Sequence, residues 1–271
     1  MSPPMTVVST LAVLALLSAA QEAKPASPPA STATAEPSTA GAAPLDRVLA
    51  EADAAYDRRD EADQLAILKA RLEEADRDHP NDYAVLWRLA RMYAWTSDDP
   101  AITDKEKSKL GKEGWDLGER AIAADPTRVE GWHYCAINMG QYSLGIGILT
   151  ALAQGIEGKF KDRLSHAEKI DPKFSGGAIP TAWGRFWYKL PWPKYDARKS
   201  EAAFREALRI NPDNVRARVY LADLYGDEGH DDEARKQLEK AAAGEPGRYD
   251  APEERRYQDV ARKRLAHVEK R

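Results

Sequence analysis

Five histidines and one cysteine are the residues from which this chain would build a metal centre or a nucleophile, and their spacing argues against both. His79, His133, His166, His230 and His267 are scattered, with no HxxxH or HExxH pair to set two imidazoles on one helical face. His230-Asp231-Asp232 follows Gly229, where Asp starts a helix more readily than it holds a metal. Cys135 stands alone, so it forms neither an internal disulfide nor a CxxC site. Two residues from His133 on a predicted helix, it faces away from that imidazole and is expected in the core. Gly145-Ile146-Gly147 lacks the Gly-Lys-Ser/Thr of a phosphate loop. These patterns offer no catalytic residue, metal ligand or cofactor site, and predict a protein that is not an enzyme.

Aromatic side chains are the stronger lead. Trp183, Phe186, Trp187, Tyr188 and Trp192 crowd one short stretch, and Trp192 sits between Pro191 and Pro193, where a helix must end. On a helix Trp183 and Trp187 share a face, with Tyr188 beside them. Such a cluster either packs inserted elements into the core or walls an apolar ligand pocket or subunit interface. Trp183, Trp187, Tyr188 and Trp192 are therefore binding candidates.

The elements that must position these residues follow from composition and repetition. A chain of 271 residues with 43% hydrophobic content can bury a sizeable core. Its net charge of −4, from 40 basic and 44 acidic residues, makes no single-sign field that would favour nucleic acid. Residues 1–20 read as a signal peptide: an uncharged apolar run, TVVSTLAVLALLSAA, ends with Ser18 and Ala20 at the positions of a cleavage site. Export, into a periplasm, is the expected destination, and an uncleaved membrane anchor is the alternative. Residues 21–44, rich in Pro, Ala, Ser and Thr, read as a disordered linker.

From 45 to 271 the same helix end recurs. Ala75, Ala121, Ala167, Ala207 and Ala241 each stand five residues before a proline, namely Pro80, Pro126, Pro172, Pro212 and Pro246. The proline stops the helix at the residue before it, and the alanine lets a neighbouring helix approach. The last interval is 34 residues, the period of the tetratricopeptide repeat, and the earlier ones fit that period with insertions. Leu221, Ala222, Tyr225, Gly229, Ala234, Leu238, Ala241 and Pro246 occupy that repeat's signature positions. The predicted fold is all-α: a right-handed solenoid of about five degenerate tetratricopeptide-type helix pairs, near 49–82, 83–128, 129–174, 175–214 and 215–248, with inserted segments and a capping helix at 251–270. That last helix carries Tyr257, Val260, Ala261, Leu265 and Val268 on one face and charge on the other, and is expected to close the open end of the stack. Ile148, Leu152, Ile156 and Phe160 have the spacing of one amphipathic helix. The first helix of each pair lines the concave face of such a solenoid. That face would carry Trp87, Arg91 and Trp95, then His133 and Ile137, then Val219 and Asp223, without the Lys and Asn set that grips a peptide carboxylate.

Within this frame VLWRLAR (85–91), GWHYCAINMG (131–140), YSLGIGILTAL (142–152) and GGAIPTAWGRFWYKLPWP (176–193) make residues 83–246 resemble the family of the TRAP-transporter T-component and the regulator-of-microtubule-dynamics proteins. For the bacterial branch the resemblance implies a periplasmic helical solenoid that associates with a solute-binding protein, forms homo-oligomers and accommodates a ligand. For the eukaryotic branch it implies association with microtubules. Unlike the usual T-component lipoprotein, this chain has no cysteine after its apolar run. The expectation is an exported, non-enzymatic binding protein that engages a protein partner and a small apolar solute, without nucleic acid. The alternative is a repeat scaffold for envelope protein assembly with no small ligand.

Overall fold

The computed structural model describes residues 44–247 and 249–268, with side chains as far as Ala266. The predicted signal peptide and the linker up to residue 43 lie outside them. Twelve helices form among the described residues, and no strand does. They run α1 (Leu45–Tyr56), α2 (Gln64–Asp78), α3 (Tyr83–Ser97), α4 (Asp104–Ala124), α5 (Val129–Ile146), α6 (Ile148–Ala153), α7 (Ile156–Ile170), α8 (Phe174–Lys189), α9 (Ala197–Ile210), α10 (Val215–Asp227), α11 (Asp231–Ala243) and α12 (Ala251–Val268). Consecutive pairs stack into a helical-repeat solenoid: α1 with α2, α3 with α4, α5 with α7, α8 with α9 and α10 with α11.

The repeated helix end has one physical form. At four of the five sites the alanine carbonyl accepts the backbone N–H of the residue before the proline: Ala75 from His79 at 2.8 Å, Ala121 from Asp125 at 3.0 Å, Ala167 from Asp171 at 3.0 Å and Ala207 from Asn211 at 2.9 Å. All five alanines are buried. The pre-proline residue leaves helical geometry, as the proline ring demands. Two residues after Pro80 and Pro212, Asp82 and Asn214 cap the next helix by accepting from Val85 N and Ala217 N, contacts worth about 1 kcal/mol each. One short motif thus ends one helix and starts the next.

Helix α4 lies unusually close to α5. A Cβ on Gly111 would meet Tyr142 N at 2.5 Å, and one on Gly118 would meet Cys135 Cα at 2.6 Å, so only glycine permits this approach. Asn138 of α5, packed against Gly114, donates to the Ala90 carbonyl of α3 and to the Tyr134 carbonyl of its own helix at 2.9 and 2.8 Å. Cys135 is fully buried here, in contact with the Trp115 carbonyl, and burial pushes its thiol pKa up.

One expectation is corrected and another extended. Residues 148–160 are not one helix: Gly155, at φ +70°, breaks the run between α6 and α7, although Ile148, Leu152, Ile156 and Phe160 still face one space. Helix α12 does more than cover the end of the stack. It packs on α10 and α11 and then reaches back to the first repeats. Arg255 forms a two-bond pair with Asp60 at 2.6 and 2.9 Å, and Asp250, just ahead of α12, forms one with Arg59 at 2.6 and 2.7 Å. Glu254 and Gln258, which share the face of Ala261 and Leu265, are 6% and 1% exposed.

Candidate functional site

With α12 laid across the concave side, the first helices of the pairs enclose space between themselves and it. A cavity of about 580 Å³ lies there, walled by α3, α5, α8, α10 and α12 and floored by α6 and the start of α7. Its size falls within the ordinary range of small-ligand sites.

One wall is polar and tightly bonded. Arg216, half-buried on α10, donates to both Glu253 oxygens at 3.0 and 2.8 Å and lies 3.2 Å from Asp98 Oδ2. Asp98 also accepts from Gln141 Nε2 and the Tyr257 hydroxyl, each at 2.9 Å. Burial lowers the Arg216 pKa less than Glu253, Tyr257 and Asp98 raise it, so this guanidinium stays charged. Burial also pushes the Glu253 carboxyl up, against the pull of Arg216. Arg256 takes another route. It donates to the Trp95 carbonyl at 2.9 Å and stacks 3.2 Å from that ring's centroid, and burial presses its pKa down.

The other wall is apolar. Ile137, Leu144, Ile148, Leu152, Ile156, Phe160 and Phe186 line it. Phe160 and Phe186 stack with centroids 4.9 Å apart. Between the two walls stands His133, buried, its Nδ1 without a partner. Burial, with Arg216 adding to it, depresses its pKa to about 3, so the ring is neutral at pH 7.

The residues singled out from the sequence divide. Arg91, Trp95, His133 and Ile137 come together on the cavity. Trp87 lies off it, stacked on Tyr134 at 6.2 Å with Arg88 and Arg91 against its ring. Trp183 and Trp187 turn toward α7 and α9: Trp183 Nε1 donates to Glu168 at 3.1 Å, and Lys199 Nζ lies 4.5 Å from the Trp187 centroid. Tyr188 points to α10 and donates to Asp227. Trp192 is 87% exposed. The face of α8 that reaches the cavity is instead Ala182, Arg185, Phe186 and Lys189. Val219 is core, and Asp223 pairs with Arg185 and Arg264. No group of three or more His, Cys, Asp or Glu side chains suited to a metal occurs among the described residues. No helix among them is long and apolar enough to cross a membrane.

Comparison with known proteins bears on the same elements. The profile described as regulator of microtubule dynamics protein 1-3 matches residues 48–191, and a tetratricopeptide-repeat profile matches 195–253. No curated protein matches in sequence. The crystal structure of TTC0263, a thermophilic TPR protein of Thermus thermophilus, is 20% identical, with a TM-score of 0.62 over 82% of this chain and 100% of that one. The pilF protein of Pseudomonas aeruginosa is 16% identical, with a TM-score of 0.49 over 83% of this chain and 93% of its own. At these identities the likeness concerns the fold alone. Because the first profile spans more than half of its length, the chain belongs to the regulator of microtubule dynamics protein 1-3 family, built on tetratricopeptide repeats.

Proposed function

We propose that the protein is an exported, non-catalytic binding protein, similar in role to a T-component: a small, largely apolar solute occupies the cavity, and a partner protein meets the outer surface. The observation that carries this reading is the cavity of about 580 Å³ between the concave face and α12, with an apolar side lined by residues such as Ile137, Leu152, Phe160 and Phe186. Tetratricopeptide solenoids generally mediate protein association, which supports the second half. Export rests on the apolar run and the small residues at 18 and 20. A native mass spectrum of residues 21–271, purified gently from an exporting host, tests the reading. An adduct of small-molecule mass is expected, and the same spectrum counts the copies in any oligomer. A protein free of adduct that also takes up no apolar solute would overturn the ligand half.

Exposed apolar side chains favour a second reading, a scaffold for envelope protein assembly with no small ligand. Trp192 and Leu149, 87% and 73% exposed, are anchors that a protein partner would cover. Crosslinked partners that are lost in Trp192→Ala, together with an empty cavity, would favour it.

A further inference from the structure

The charges beside the apolar floor carry the ligand reading further, and the head group assigned from them rests on that reading. Arg185 and Lys189 stand four residues apart on α8, and both line the cavity. Arg264 of α12 lines it beside them, near enough to influence Lys189. Half-buried Asp223 accepts from Arg185 Nη1 at 3.2 Å and from Arg264 Nη1. Asp227, the other acid nearby, is engaged by the Tyr188 hydroxyl. Lys189 forms no ion pair and no hydrogen bond with any described residue, and its Nζ rests 4.8 Å from the Tyr188 ring centroid. Burial, and after it Arg185 and Arg264, press the Lys189 pKa down. Three cations around the carboxylates of Asp223 and Asp227, partly withdrawn from water, leave one positive charge in surplus, which a bound anion would relieve.

The second half is the immediate neighbour of this cluster. Phe186 lies on the same helix between Arg185 and Lys189, and its ring stacks on Phe160. Beyond Phe160 the cavity continues over Ile156, Leu152 and Ile148. We infer that the solute is an amphipathic anion, an acyl chain ending in a carboxylate or phosphate, with its head among Arg185, Lys189 and Arg264 and its chain along Phe186, Phe160 and Ile156. An uncharged apolar solute would leave the surplus cation without a partner. A short anion would leave the apolar floor uncovered.

Calorimetric titration of the lipid-stripped protein with dodecanoate, dodecyl phosphate, dodecanol and acetate tests this. The two charged chains are expected to bind at least about tenfold more tightly than dodecanol, and acetate not measurably, because charge-assisted hydrogen bonds are the strong ones. Preference between dodecanoate and dodecyl phosphate identifies the head. Lys189→Gln should weaken dodecanoate about tenfold and leave dodecanol unchanged, while Lys189→Arg retains binding. In the unmutated protein, added salt should weaken dodecanoate and spare dodecanol, a readout independent of any variant's folding. Equal affinities for dodecanoate and dodecanol, or no effect of salt and of Lys189→Gln, would overturn the head-group assignment and leave the cavity reading standing. Failure of all three chains to bind would overturn both.

Discussion

Asp250→Asn should cost the protein about 3 kcal/mol, because it strands a guanidinium that has no way back to water. The Arg59 side chain is 1% exposed. Its Nη2 donates to both Asp250 oxygens at 2.6 and 2.7 Å, its Nη1 donates to the Tyr56 carbonyl at 3.0 Å, and the group rests against the Tyr56 and Trp95 rings at 4.0 and 4.2 Å. Removing one partner of a buried pair costs about 3–5 kcal/mol. The lower end applies here, since Asp250 is 27% exposed and asparagine keeps both an acceptor for Arg59 and the capping contact to Glu253 N at 3.1 Å. Urea unfolding followed by tryptophan fluorescence measures the loss, and a double-mutant cycle with Arg59→Met isolates the coupling, expected near 2 kcal/mol or more. The pair joins the first helix pair to α12, so the variant should also unfold less cooperatively, with a reduced dependence on urea. A loss below about 1 kcal/mol with unchanged cooperativity is what a solvated surface pair gives, and it would refute the return of α12 to the first repeats.

Substitutions at two glycines should have opposite signs. Gly118→Ala, whose Cβ would lie 2.6 Å from Cys135 Cα, should lower stability by about 1–3 kcal/mol, whereas Gly158→Ala in α7, with nothing within 4 Å, should raise it by about 0.5–1 kcal/mol, both read from melting temperature. His133, its pKa depressed from 6.5 to about 3, contributes stability above pH 6.5 that is lost as pH falls toward 3, at about 1.4 kcal/mol per unit; His133→Gln should flatten that part of the urea-midpoint profile. The Cys135 thiol, fully buried and with its pKa pushed up, should resist alkylation until the protein opens, so the native modification rate should follow denaturant.

The pairs of helices are legible in the sequence because their signals are local. A proline and an alanine five residues earlier act within two turns of chain, and at four of the five sites the structure closes the helix on that alanine's carbonyl. The packing of α4 on α5 is harder to see, although Gly111, Gly114 and Gly118 lie at helical spacing, because an insertion between repeats carries no register to say what those glycines face. The cavity is half legible. Arg91, Trp95, His133 and Ile137 follow from the repeat register, which assigns a face to each first helix. Arg185 and Lys189 are hidden behind the larger rings of Trp183 and Trp187, since aromatic bulk says nothing about which side of α8 faces inward. The return of α12 rests on ion pairs between residues nearly two hundred positions apart, and alternating charge on a helix looks the same whether water or another helix answers it.

Open solenoids tolerate gain and loss of repeats, since each unit touches only its neighbours. Here Arg59 with Asp250, and Arg255 with Asp60, tie the first pair to the last helix. A sixth pair would displace α12 by roughly the 8–10 Å that separates packed helices, beyond the reach of a guanidinium already fixed at 2.6 Å. The bridge therefore acts as a ruler: it sets the number of repeats this sequence can hold, and a duplicated or deleted pair could not simply lengthen or shorten the molecule.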